Sequence, residues 1–298
     1  MGACCLVSEH AEPGAPGSRM TLPIHTATRY VTPLREGGSL PAVLDTEEGG
    51  LFVTKFRGAG QGAPALVAEI IVTLLARRVG LPAPEIALVE LDETFGRTER
   101  DPEIQDILKG SIGLNVGYRY LDGAFGYDPL ASADFVTPDF AADVVWLDAY
   151  TTNIDRTPRN PNILIWQREP WLIDQGAALY FHHNWPAVNE ARIRSPFPPI
   201  KDHVLLPLAG DLWEADRRMA GRLSPEVIEE TIGAVPDALL MDRLEGRILP
   251  FPTAESHREA YMAYLNGRLQ APRSFVEQAV HAQAALLQEQ PSMKAYRR

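Results

Sequence analysis

The sequence has 298 residues, 45% of them apolar and 22% charged, with a formal net charge of -11, the makeup of a globular chain that can bury a core of ordinary size. Its 39 acidic residues against 28 basic ones repel a phosphate backbone, so a general nucleic-acid-binding role is not expected, whereas a nucleotide needs only a local pocket of positive charge or metal. No apolar run approaches the roughly 20 residues that span a bilayer, and Cys4 and Cys5, adjacent and near the start, neither staple the fold nor show a zinc spacing; a cytoplasmic location is expected.

Residues 1–20 are rich in Gly, Ala, Pro and Ser and read as a disordered leader, with Met20 a candidate start. Three short β-leaning runs follow, TATRYVTPL, PAVLD and LFVTKF, separated by the turn clusters REGG and TEEGG. ALVAEIIVTLLARRVGL predicts a helix that is apolar on most faces, stopped at Gly80 with Pro82 just beyond. PEIALVELD is a further strand, GRTERDPEIQD a loop, GLNVGYRYL (residues 113–121) another strand, and DGAFGYDP a turn. Thr137, Pro138 and Asp139 form a helix start, with a hydroxyl cap, proline at the first helical position and an acid in the first turn. The helix they open is DFAADVVWLDAYTTN. Two apolar runs come next, NILIW and WLIDQG, joined by the turn QREP as a β-hairpin, and then helix candidates near 224–245 (broken at Pro236), 254–267 and 273–289.

A strand-rich half with one long helix thus precedes a helix-rich half, with the change near residue 120. The expected fold class is α+β in two lobes, 21–120 and 121–298, working as a single unit.

The segment N-I-D-R-T-P-R-N-P-N carries Asp155 and, five positions later, Asn160. This is the spacing at which a kinase catalytic loop supplies its base and a metal-binding Asn. Fourteen residues beyond Asn160 comes Asp174, in L-I-D-Q-G, and the hairpin folds it back so that both side chains can offer oxygen to one Mg²⁺. Each residue alone is more often a turn former or surface charge; the joint spacing carries the inference. In the first half, Lys55 lies inside an apolar strand and Glu69 inside the apolar helix run L-V-A-E-I-I-V, an unlikely place for an unpaired carboxylate. A Lys55–Glu69 pair would satisfy both charges and aim the ammonium at phosphate; the alternative is a lysine pointing to solvent. Gly37, Gly38 and Ser39, in the turn between the first two strands, could offer backbone N–H groups to phosphate oxygens, or form a plain hairpin turn.

VTKF, AEIIVTLLARRVGLPAPE, GLNVGYRYL, NIDRTPRNPNIL and LIDQGAAL, in that order over roughly residues 27–180, resemble the HipA-like kinases. These are an atypical bacterial branch of the protein-kinase fold related to the phosphatidylinositol kinases. The resemblance implies a bilobal ATP- and Mg²⁺-dependent phosphotransferase acting on a protein Ser/Thr hydroxyl. It implies Lys55 on the α- and β-phosphates with Glu69 as its partner, Asp155 as the base, and Asn160 and Asp174 as Mg²⁺ ligands. It also implies that the backbone at Tyr118, Arg119, Tyr120 and Leu121 forms the hinge that holds adenine. The departures are Asn153 and Ile154 in place of His-Arg, Gln175 in place of the Phe of D-F-G, and no A-P-E segment. No toxin role is expected. A small-molecule or lipid kinase uses the same motif core, and a nucleotide-binding pseudokinase is the non-enzymatic alternative. His182 and His183 in F-H-H-N-W are read as structural or substrate-lining, since neighbours on a strand point opposite ways. Lys201, Asp202 and His203 form a polar cluster, but sequence neighbours seldom form a working dyad.

Overall fold

The structure, a computed structural model, describes residues 20–34, 40–47, 49–97, 99–242 and 249–289. Its first half is built from β1 (Ile24–Pro33), β2 (Ala42–Thr46), β3 (Gly50–Lys55), α1 (Ala63–Arg78), β4 (Ile86–Leu91), α2 (Pro102–Lys109) and β5 (Gly113–Arg119). The five strands close into a barrel in the order β1-β2-β3-β5-β4, antiparallel except for the seam between β1 and β4, where Ile24 lies opposite Leu88. Closure leaves no unpaired strand edge. Ala42, Leu44, Phe52, Ala87, Val89 and Leu91 fill one side of this sheet. Gly117 lets the strands approach there, since a Cβ would meet Val89 Cγ2 at 2.6 Å and Phe52 Cδ1 at 3.2 Å. The register sets Lys55, the last residue of β3, opposite Val116 of β5.

Helix α1 has no polar face. Leu66, Val67, Ile70, Ile71, Val72 and Leu75 are all buried, because the helix lies between the barrel strands β4 and β5 on one side and two later helices on the other; a helix that is apolar all round is buried all round. It ends as expected at Gly80, whose φ is 84°. Leu81 N–H bonds to Ala76 O at 2.9 Å and Gly80 N–H to Arg77 O at 3.1 Å, the paired bonds of a glycine-terminated helix.

The second half contains β6 (Phe125–Gly126), α3 (Pro138–Thr151), β7 (Ile163–Trp166), β8 (Glu169–Leu172), α4 (Glu190–Ile193), α5 (Leu212–Arg222), α6 (Pro225–Gly233), α7 (Asp237–Leu240), α8 (Ala254–Leu269) and α9 (Ser274–Glu289). Thr137 Oγ1 accepts the Phe140 N–H at 3.2 Å, with Pro138 at the first helical position. Strands β7 and β8 pair antiparallel from Ile163↔Leu172 to Trp166↔Glu169. They are joined through Gln167 (φ 50°) and Arg168 (φ 70°), the doubly positive geometry of a tight hairpin turn. Helix α3 is the centre of this half, with Trp146 and Tyr150 stacked at 5.1 Å among α5, α8 and α9. One continuous core runs from α1 through α3 and the hairpin to α9. α6 and α7 are the helices that cover the outer side of α1.

The α+β character and most of the element order agree with the sequence reading; α4 and α5 were not expected, and three expected segments differ. The polar stretch expected to be a loop contains α2, because Asp101 caps it through the Glu103 N–H at 3.0 Å and Pro102 takes the first helical position. The expected turn DGAFGYDP contributes β6, which pairs with β7 as Phe125↔Ile165. The region of His182 and His183 is 3-10 helical, two short turns within Tyr180–Ala187 separated by a kink at Asn184 (φ -146°), and not a strand. Residues 1–19 of the expected leader lie outside the described residues. Among the described residues no helix is long and apolar enough to cross a membrane.

Candidate active site

Lys55 at the end of β3 and Glu69 in the middle of α1 meet beneath the barrel, Nζ to Oε1 at 2.5 Å, with both side chains almost wholly buried. Lys55 Nζ also contacts Asp174 Oδ1. Burial works against the ammonium, but the carboxylates of Glu69 and Asp174 outweigh it and hold the Lys55 pKa above its ordinary value. Burial pushes the Glu69 carboxyl up, against the pull of Lys55. At Asp174 burial is overcome by Lys55, and the carboxyl lies below its usual range. Glu69 Oε2 takes two further donors: the Tyr118 hydroxyl and the Gln175 N–H at 2.7 Å. The Tyr118 Oη lies 2.8 Å from Thr73 Oγ1. Burial and then the Glu69 charge push that phenol well up, so it stays protonated and donates.

The loop after α3 places Asp155. Thr152 ends the helix in the left-handed region (φ 55°), and Asn153 Oδ1 accepts the Asp155 N–H at 3.1 Å. Asp155 Oδ2 then accepts Asn160 Nδ2 at 2.6 Å and Asn162 Nδ2 at 3.3 Å. The hairpin sets Asn162 opposite the chain that leads out of β8, with Ile173 N–H donating to Asn162 O at 3.1 Å. Asp174 is the next residue and is held at φ 56°. Burial raises the Asp155 carboxyl, and the nearby Asp174 charge adds to this against the bonds from Asn162 and Asn160.

Behind the loop, Arg156 turns inward. Its Nε donates to Asp148 Oδ2 at 2.6 Å, Nη1 to Asn162 O at 2.5 Å, and Nη2 to Gln175 Oε1 at 2.7 Å. Asp148 also accepts Asn153 Nδ2 at 3.1 Å and lies 2.9 Å from His203 Nε2. The Leu205 N–H donates to His203 Nδ1, so the single ring proton sits on Nε2 and points at Asp148.

The structure therefore brings Lys55, Glu69, Asp174, Asp155 and Asn160 into one site. Gly37, Gly38 and Ser39 lie outside the described residues. Tyr118 takes part through its side chain. The N–H groups of Arg119 and Tyr120 are engaged by Glu85 O and Leu51 O, and Leu121 O accepts the Ala124 N–H at 3.2 Å. Tyr118, Asn153, Arg156, Asn162, Asp148, Gln175 and His203 carry the site's hydrogen bonding and were not expected to do so. His203 pairs with Asp148, 55 positions away, and not with Asp202. His182 and His183, wound into a single helical turn, bring their Nε2 atoms to 3.2 Å, with His182 Nδ1 at 2.9 Å from Tyr261 Oη. An open groove of about 530 Å³ beside Arg29, Tyr30, Asp92 and Glu99 contains none of the site residues.

For a metal, the donor chemistry decides. The Asn160 amide nitrogen is spent on Asp155, so its carbonyl oxygen is the atom left for a cation. Asp174 adds a carboxylate whose side chain is 38% exposed. Two hard oxygen donors at a solvent-open edge fit Mg²⁺, which keeps waters and takes phosphate oxygens for its remaining positions. Among the described residues no three His, Cys, Asp or Glu side chains converge as a full protein cage would require.

The family described as HipA-like kinase matches residues 28–192. Among solved structures, the crystal structure of a Helicobacter pylori proinflammatory kinase, CtkA, matches with a TM-score of 0.53 and 14% identity. The match covers 89% of this chain and 99% of that one, a likeness of fold. No curated protein matches the chain in sequence.

Proposed function

Because the chain belongs to the HipA-like kinase family, we propose that it is an ATP- and Mg²⁺-dependent phosphotransferase in which Asp155 activates the acceptor hydroxyl. The observation that carries this reading is the buried Lys55–Glu69 pair, within one site with an Asp155 held by two asparagines. Phosphoryl transfer asks for positioning and charge stabilisation more than covalent work. Lys55, oriented by Glu69, reaches the phosphates. Asn160 and Asp174 hold Mg²⁺, which supplies charge neutralisation across the phosphate oxygens when bound. Both asparagine amides occupy Asp155 Oδ2, which leaves Oδ1 to receive the hydroxyl proton, and burial raises the basicity of that carboxylate. The backbone near residues 118–121 is the segment that meets the adenine edge. The working unit is bilobal, 21–120 and 121–298, in a cytoplasmic setting.

A protein Ser/Thr hydroxyl is the acceptor that family membership favours; a small-molecule or lipid hydroxyl is the alternative. One observation favours a second reading, a nucleotide-binding pseudokinase: Lys55 Nζ rests on Asp174 itself, where the metal must bind. Labelled γ-phosphate transfer to the protein and to a cell extract separates these readings. Asp155→Asn should abolish transfer and keep nucleotide-induced stabilisation, and Asp174→Asn should remove the Mg²⁺-dependent part of that stabilisation. Stabilisation of wild type without transfer to any acceptor selects the pseudokinase. No stabilisation by Mg²⁺-ATP overturns both readings.

A further inference from the structure

Gln175 occupies the place where the common kinase pattern has phenylalanine, and it is fully buried. A buried amide in an apolar setting is costly unless its polar atoms are bonded. Here the backbone N–H donates to Glu69 Oε2 at 2.7 Å and the side-chain Oε1 accepts from Arg156 Nη2 at 2.7 Å. Through Gln175, one unbroken buried path links the phosphate end of the site to the base. It runs from Glu69 to Gln175, to Arg156, to Asp148, to Asn153 and so to the N–H of Asp155. Lys55 hangs on the first member of this path and Asp155 on the last. Gln175 also follows Asp174 directly, so the bond to Arg156 fixes the peptide that carries that carboxylate. An apolar residue at 175 would leave Arg156 Nη2, on a side chain with no exposure, without this acceptor.

We propose that Gln175 is a positioning residue: its side-chain oxygen, through Arg156, sets the loop that carries Asp155 relative to Glu69 and Asp174. The Arg156 guanidinium is satisfied from within by Asp148, Asn162 and Gln175, so its donors are already engaged by groups of this chain. The assignment of Asp155 as the base rests on the kinase reading above.

The test uses the full chain as wild type, as Gln175→Leu, which keeps bulk and removes the acceptor, and as Gln175→Glu, which keeps an oxygen for Arg156. Amide hydrogen exchange over residues 153–162 reads the loop without needing phosphate transfer. We expect exchange there to rise about tenfold in Gln175→Leu, the scale of leaving a charged donor unpaired. In Gln175→Glu it should stay within about threefold of wild type, with β4 and α8 unchanged in both variants. At saturating Mg²⁺-ATP, kcat falls about tenfold in Gln175→Leu with KM for ATP changed less than about twofold, and recovers to within about threefold in Gln175→Glu. Loop exchange and kcat at wild-type values in Gln175→Leu overturn the proposal, as does an equal loss in both variants. If Gln175→Leu does not fold, Gln175→Glu decides alone: wild-type loop exchange supports the proposal, and raised loop exchange overturns it. A wild type that transfers no phosphate overturns the kinase reading only, because the exchange measurement still decides the role of Gln175.

Discussion

Arg156 Nε donates to Asp148 Oδ2 at 2.6 Å, and neither side chain has any solvent exposure. Burial opposes the Asp148 charge, yet Arg156 and His203 hold its carboxyl below the usual range. Replacing one member of a fully buried pair strands the other charge, which costs about 3–5 kcal/mol. Asp148→Asn should therefore lose stability on that scale in urea unfolding. A loss under about 1 kcal/mol would mean that Gln175 Oε1 and the carbonyls of Asn162 and Ile173 satisfy the guanidinium without Asp148.

His203 makes the same network sensitive to mild acid. Burial lowers its pKa from 6.5, against the pull of Asp148, and protonation of Nδ1 would break the bond from the Leu205 N–H. The folded pKa lies below the unfolded one, so the unfolded chain binds the extra proton first. The contribution of His203 is complete above the unfolded pKa and is lost as the pH falls from about 6.5 through the folded value. Asp148 acts in the same direction, but only below 3.8. Melting between pH 7.5 and pH 5 should show a stability slope of up to about 1.4 kcal/mol per pH unit for this one proton, and His203→Gln should flatten it. An unaltered slope in His203→Gln would assign the acid sensitivity to another group, with His257, also lowered by burial, the first to examine.

What was legible in the sequence was local. Thr137 and Pro138 announce α3 within four residues, and the β7–β8 hairpin was expected, though its turn is Gln167 and Arg168 and not the whole of QREP. The spacing of Asp155, Asn160 and Asp174 works because all three sit on that one loop and hairpin. The network behind them depends on distant partners, 19 positions apart for Arg156 and Gln175 and 106 for Gln175 and Glu69. Nothing near Asp148 in the sequence marks it as the partner of both Arg156 and His203. The barrel seam between β1 and β4 is hidden for the same reason. Helix α2 is a different case: its Asp101-Pro102 start was present, but it lay inside a polar stretch whose composition outweighed the cap.

Tyr118 offers a test of how much the Glu69 cage depends on one hydroxyl. Its Oη donates to Glu69 Oε2 and lies 2.8 Å from Thr73 Oγ1. Tyr118→Phe removes both bonds while keeping the ring, leaving two buried polar groups each one partner short, at a cost of about 1–3 kcal/mol. Glu69 keeps Lys55 and the Gln175 N–H, so nucleotide binding should survive with a weakened melting transition. Stability equal to wild type in denaturant unfolding would show that water or Thr73 replaces the phenol.

The glycine of D-Q-G answers a steric demand made by Glu69. A Cβ on Gly176 would lie 3.0 Å from Glu69 Oε1, the same oxygen that holds Lys55 Nζ at 2.5 Å. The carboxylate has little room to yield, since its other oxygen is tied by Tyr118 and Gln175. Gly176→Ala should push Glu69 off Lys55 and lower kcat/KM for ATP by about tenfold, with about 1–3 kcal/mol of stability lost to overpacking. Glu69→Asp shortens the carboxylate and makes space for that methyl group, so the double variant should lose less than the sum of the two single losses. A coupling of about 0.5–3 kcal/mol is the range for residues in contact. Strict additivity would show that the chain after Asp174 moves to accommodate the methyl group, and that Glu69 stays where it is.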